Sequence, residues 1–248
     1  MNLFSPRSLA LALCLFLAGT TGARAQDAHV WGVNAGGQSW HWVQAQWHEA
    51  QSENALRQVS VGADGAVWAV ERSGAILQRE RNRWHTMPGA AVQVSVGSAQ
   101  HVWVLNADED IFRWTGAQWQ RIPGRLVNIS VAADGSVWGV NRWGNVFRRD
   151  GSQWTAMPPG PIQVSVGSAQ QVWGVEAQGT VVRWDGHQWK RVGGEMAQVA
   201  VASDGSAWGV KPSGAIYRRG PGASDQWQLV QGWLVQVSTA LRETRATR

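Results

Sequence analysis

The hydrophobic positions of this chain fall in short runs that alternate with polar residues and are cut by Gly, Asp and Ser. From Gln58 to Gly89 the runs are QVSVG, VWAV, AILQR and RWHTM. They are separated by Asp64-Gly65, Ser73-Gly74 and the polar stretch Glu80 to Arg83, and closed by Pro88-Gly89. No helical spacing is present in this window, whereas period-two runs bounded by turn residues predict β-strands. Gly, Asp and Ser supply the positive φ angles and local hydrogen bonds that tight hairpins need. The window therefore predicts an up-and-down antiparallel sheet of four strands.

The same pattern recurs along the chain. Trp31, Trp68, Trp103, Trp138, Trp173 and Trp208 lie at intervals of 37, 35, 35, 35 and 35 residues, each in a run such as VWAV or VWGV. Trp47, Trp84, Trp119, Trp154, Trp189 and Trp227 follow at 37, 35, 35, 35 and 38. Repetition at this period marks an array of identical units, and four-stranded units arranged radially form a propeller. The first copy starts at HVWGV and lacks the QVSV run; that run reappears as Gln236-Val237-Ser238 after the sixth copy. The expected fold is all-β, a six-bladed β-propeller of four-stranded antiparallel blades, closed by a C-terminal strand that completes the N-terminal blade. Closure of this kind removes two exposed sheet edges.

The chain has 18 tryptophans, and the two regular sets take twelve. A buried Trp removes roughly 150–250 Å² from water, worth at most about 4–6 kcal/mol, so these twelve are expected between blades. Trp40 joins them, because it aligns with Leu77, Phe112, Phe147, Val182 and Tyr217 on the third strand. Five remain. Trp42, Trp114 and Trp184 end the third strand of alternate copies, where the other copies carry Arg79, Arg149 and Arg219, so the underlying unit is a pair of repeats used three times. Up-and-down connectivity puts these three on the rim formed by the first–second and third–fourth turns. Trp143 and Trp233 fall on the opposite rim, with the second–third turns and the interblade links.

An aromatic plate beside Arg, Gln, Asn and Asp suits sugars, whose C–H faces pack on indole while their hydroxyls need fixed polar partners. Trp stacked with Arg between blades, serving stability alone, satisfies the same alternation. For Trp42, Trp114 and Trp184 both readings stand at this point. Trp143 is also a candidate ligand contact, with capping of the rim as its alternative.

The ends of the chain and its charge narrow the setting. Arg7, the apolar run Leu9 to Ala18 and Ala23-Arg24-Ala25 match a secretory signal peptide, expected to span residues 1–25. The propeller is then expected over 26–240, with a flexible tail at 241–248. The apolar run is shorter than the ~20 residues of a membrane span, so no membrane insertion is expected. The only cysteine, Cys14, lies in the leader, which leaves no disulfide and no thiolate ligand in the mature chain. The net charge of +5 becomes +3 when Arg7 and Arg24 leave with the leader. Lys and Arg are dispersed, without the dense stripe that nucleic acid requires, and no nucleic-acid partner is expected.

The unit VWGVN…G…(F/V)R…(D)G…QW…(I/M)PG, nearly complete from Val137 to Pro158, resembles the tectonin repeat of the tectonin and tachylectin lectins over essentially the whole mature chain. The resemblance implies a six-bladed lectin that recognises glycans at bacterial or other cell surfaces, among them lipopolysaccharide and O-methylated sugars. The Asn that ends VWGVN is kept at Asn34, Asn106 and Asn141 and replaced by Glu71, Glu176 and Lys211. If that Asn contributes to a site, only some copies would be competent.

Nothing in the motifs favours catalysis. The Asp-Gly pairs are adjacent turn residues, unlike the separated Asp and Gly of a sialidase Asp box. The six histidines show no HxH or HExxH spacing, and no GxSxG elbow or phosphate loop occurs. A non-enzymatic binding protein without cofactor or metal is expected: a secreted, periplasmic or extracellular lectin, with a periplasmic protein-interaction scaffold docking a surface-associated protein partner as the alternative.

Overall fold

Each repeat folds as one antiparallel sheet, because alternate residues of its runs face the two neighbouring sheets and both faces are covered. The computed structural model describes residues 28–222 and 226–242. It contains six four-stranded sheets with strands in sequence order from the inside outward, except that blade I takes its inner strand from the C-terminus. Blade I comprises Gln236–Leu241, Ala28–Val33, Ser39–Val43 and Gln46–Ala50. Blade II comprises Leu56–Val61, Val67–Glu71, Ala75–Glu80 and Arg83–Ala90. Blades III, IV, V and VI begin at Gln93, Asn128, Pro161 and Gln198.

The ring closes as the two end copies require. Trp31 pairs with Ser238 and Gly32 with Val237, and the pairing extends to Ala28 with Leu241. Leu241 thus belongs to the sheet and not to the tail. Residues 1–27, where the leader is expected, and residues 223–225 and 243–248 lie outside the described residues. Among those described, no helix is long and apolar enough to cross a membrane.

Six hydrophobic clusters, one between each pair of blades, make up the core. The second-strand tryptophans Trp31, Trp68, Trp103, Trp138, Trp173 and Trp208 are all buried within them. The outer-strand tryptophans clasp the preceding blade: the indole N–H of Trp119 donates to the carbonyl of Pro88 at 2.7 Å, that of Trp154 to Pro123 and that of Trp189 to Pro158. The glycine of the Pro-Gly corner, or its equivalent, makes room for them. At Gly194, with φ of +88°, a Cβ would stand 2.8 Å from the Trp227 ring.

Inner strands of a propeller leave backbone groups without a ladder partner at the central channel, and here side chains from the neighbouring blade fill the gap. The amide N–H of Val94 donates to the Gln58 side chain, Ile129 to Gln93, Val164 to Asn128, Val199 to Gln163, Val237 to Gln198 and Val59 to Gln236, at 2.8–3.2 Å. Ser60, Ser95, Ser130, Ser165 and Ser238 repeat the device one step further along. The sixth position of this second ring is Ala200, which has no hydroxyl to offer. The QVSV run thus has a double role, with its valines in the core and its Gln and Ser knitting the channel wall.

Candidate functional site

Trp42, Trp114 and Trp184 lie between blades. The Trp114 ring is 4.9 Å from Trp119 of its own blade and 6.0 Å from Trp68 of blade II. Trp184 sits likewise against Trp189 and Trp138, and Trp42 against Trp47 and Trp208. At the other three interfaces an arginine takes the same place. Arg79 lies over Trp31 and Trp84 at 5.2 and 5.3 Å, Arg149 over Trp103 and Trp154 at 5.6 and 5.2 Å, and Arg219 over Trp173 at 5.9 Å. Burial holds the guanidinium pKa values of Arg79 and Arg149 below their ordinary level. Interfaces therefore alternate between three indoles and a guanidinium packed on indole, with two rings around Arg79 and Arg149 and Trp173 beneath Arg219, an arrangement that matches the packing alternative of the sequence reading. These three tryptophans are partly buried, each with its ring against two other indoles.

The asparagines shape the second–third turns. Asn141 Oδ1 accepts from the backbone N–H groups of Trp143 and Asn145, and Asn106 Oδ1 from Asp108 and Asp110. Asn34 Oδ1 accepts from the Gln38 N–H while its Nδ2 donates to the Gln38 side chain. Their oxygens are thus engaged in turn geometry. The structure does not bring the seven candidates together: Trp143 is 74 % exposed on the blade IV turn, apart from the three interface tryptophans.

One of the seven, Asn106, lines a cleft between blades II and III, on the face that carries the second–third turns and interblade links. The cleft has a volume of about 550 Å³. Its apolar walls include Ile76, Val104, Phe112 and Trp119; its polar groups include Arg57, Arg72, Asn106 and Asp108. Arg72 donates to the carbonyl of Ala35 in blade I, which steadies it across the blade I–II seam. Phe112 is the third-strand residue that replaces Leu77 or Val182 of other copies, and Trp119 is positioned by its bond to Pro88. An apolar pocket with a few convergent polar groups is the arrangement of a small-ligand site. Among the described residues no group of three or more His, Cys, Asp or Glu is placed to hold a metal ion.

The tectonin domain profile matches residues 21–107 and 91–243. The chain belongs to the tectonin family. Tectonin-1 of Physarum polycephalum is 38 % identical over 61 residues, which is 25 % of this chain and 27 % of that protein. Tectonin-2 of the same organism is 42 % identical over 52 residues, 21 % of this chain and 14 % of that one. The matched stretches thus span about a quarter and about a seventh of these tectonins. Three solved structures share the propeller fold. U3-55K superposes with a TM-score of 0.59 at 12 % identity, covering 85 % of this chain and 81 % of its own. The extracellular domain of BT4673 from B. thetaiotaomicron gives 0.53 at 10 %, covering 84 % and 33 %. YCF48 from Cyanidioschyzon merolae gives 0.50 at 12 %, covering 83 % and 85 %. At these identities the likeness is one of fold alone.

Sequence reasoning passed over Trp119 and Phe112 because they fit the packing register, and over Arg57 and Arg72 because no motif contains them. A signal was available for Arg57. The residue before the Gln or Asn of the inner strand is Val92, Val127, Ile162, Ala197 or Val235 in the other blades, and Arg57 alone is charged.

Proposed function

We propose that this tectonin-family protein is a secreted carbohydrate-binding protein, a lectin of cell-surface glycans, with lipopolysaccharide and O-methylated sugars as the classes to try first. The observation that carries this reading is the cleft between blades II and III, where Phe112 and Trp119 stand beside Arg57, Arg72 and Asp108. Sugars need this mixture of an aromatic surface for their C–H faces and hydrogen-bonding groups for their hydroxyls. A site of this size takes a mono- or disaccharide, and an array of molecules on a surface would add avidity to a modest single-site affinity. Export is the part of this reading that rests on the leader expected at residues 1–25. A glycan array probed with the mature protein tests the proposal: signal on a definable glycan class supports it, and silence across methylated, deoxy and lipopolysaccharide-derived sugars overturns it.

A second reading, a protein-interaction scaffold, rests on a separate observation. Val92, Val127, Ile162 and Val235, each just before the Gln or Asn of an inner strand, are exposed on the same face as Trp143 and Trp233. Exposed apolar groups concentrated on one face are a feature of docking surfaces. A stoichiometric protein partner whose co-purification is indifferent to added sugar would favour this reading over the lectin.

A further inference from the structure

The clefts between blades share a framework but not their charges, and the difference is traceable to two arginines. The second–third turn of blade II carries Arg72 where that of blade IV carries Arg142. Arg142 reaches back to blade III and meets both carboxylate oxygens of Glu109, Nε lying 2.8 Å from one and 3.1 Å from the other. That hydrogen-bonded pair raises the Arg142 pKa above its ordinary level. Glu109 occupies a left-handed position, φ +66°, which glycine takes in the turns of the other five blades. In blade I the equivalent of Glu109 is Gly37, so Arg72 reaches back and finds only the Ala35 carbonyl. Its charge has no ion-pair partner among the described residues, and neither has that of Arg57.

Arg57 and Arg72 line the same cleft. The nearest buried acid of the blade II turn, Glu71, already accepts hydrogen bonds from Asn54 and Ser73. Asp108, on the blade III side of the cleft, is its one carboxylate. The cleft therefore holds two guanidinium groups against one carboxylate, beside the aromatic surface of Phe112 and Trp119. Arginine donates through several N–H groups in a planar fork that matches carboxylate, phosphate and sulfate oxygens.

We infer that the blade II–III cleft selects an acidic sugar, its ring held against Phe112 and Trp119 and its carboxylate, phosphate or sulfate held by Arg57 and Arg72. Asp108 then accepts from a sugar hydroxyl on the far wall. The inference rests on the lectin reading and narrows it to charged glycans at one of the six interfaces.

The test uses the mature protein on an array of matched pairs: glucose with glucuronic acid, galactose with galacturonic acid, and each neutral sugar with its 6-phosphate. Inorganic sulfate is the competitor. The expected result is preference for the acidic member of each pair by about tenfold, which is the scale of one charge-assisted contact. Raising salt should weaken that preference. Arg57→Val installs the residue that blades III and IV carry at this register, so its fold is secure, and Arg72→Gln keeps a donor for Ala35. Either should lower binding of the acidic member by about tenfold and so remove the preference, with a smaller loss on the neutral member, which has no anionic group for the arginines to hold. Equal binding of both members, unchanged in the variants, would overturn the inference and leave the lectin reading standing. Binding of sulfate as tight as that of any acidic sugar would also overturn it, since the cleft would then hold an anion without reading a sugar. Absence of any sugar binding would remove the lectin reading, and this inference with it.

Discussion

Arg79 of blade II occupies, over Trp31 of blade I, the place that Trp114 of blade III occupies against Trp68 of blade II. Two side chains of unlike chemistry thus serve one position, because a guanidinium plane and an indole plane both lie flat on an aromatic face. The pseudo-threefold ring of paired repeats follows from that alternation.

If Trp114 is interface packing, truncation should be felt in stability. Trp114→Ala is expected to cost about 2–4 kcal/mol, less than a fully buried Trp because the ring is only partly buried. That corresponds to a fall of roughly 5–15 °C in Tm by thermal denaturation followed by circular dichroism. Trp143→Ala, at a residue 74 % exposed, should leave the Tm nearly unchanged. Equal effects of the two would contradict the packing described.

The defect in the serine ring gives a gain of stability. Ala200 has no hydroxyl for the closing strand, and the neighbouring Thr239 Oγ1 is buried without a hydrogen-bond partner. Thr239 stands where the other blades carry Val61, Val96, Val131, Val166 and Val201. Thr239→Val, which removes the orphaned hydroxyl, and Ala200→Ser, which completes the ring, should each stabilise by about 0.5–1.5 kcal/mol. A rise in the urea midpoint at constant m-value would register it.

Acidification should act on the seam beside the closing blade. His41 stacks on Trp31 with ring centroids 5.1 Å apart, and its Nδ1 is buried without a partner. Burial first, and then the nearby His48 and Arg79, hold its pKa below the ordinary imidazole value. The unfolded chain therefore takes up a proton at His41 before the folded one does. Stability is full above the unfolded value of about 6.5 and falls as the pH drops through it toward the folded pKa. His41→Gln installs the residue that blade II carries at Gln78, and it should flatten the pH dependence of Tm between about pH 5 and 7. An unchanged slope would exclude His41 as its source.

Blade number, strand order and ring closure were legible in the sequence because each rests on spacing: the Trp31 and Trp47 series and the displaced QVSV run are one-dimensional signals of a repeated sheet. The channel wall was less so. Gln58 and Ser60 read as the polar half of an alternating strand, and nothing local says that they bond to Val94 and Val96 of the next blade. The site was least legible. Trp114 stood out as a surplus indole yet fills an interface, whereas Trp119 looked like packing and lines the cleft. A cleft is made by two blades at once, so its composition depends on residues such as Arg57 and Asp108 that line it together but lie far apart in the chain. Arg72 and Arg142 occupy one register, and their difference is set by Gly37 and Glu109 in the preceding blades.

The central claim is that a sugar sits between blades II and III. The measurement that tests it most directly is a crystal structure of the mature protein with the best glycan from the array. The account predicts a sugar ring against Phe112 and Trp119, with its polar groups on Arg57, Arg72 and Asp108. A glycan seated instead at Trp143, at the channel mouth or on the opposite face, with this cleft holding only solvent, would contradict it.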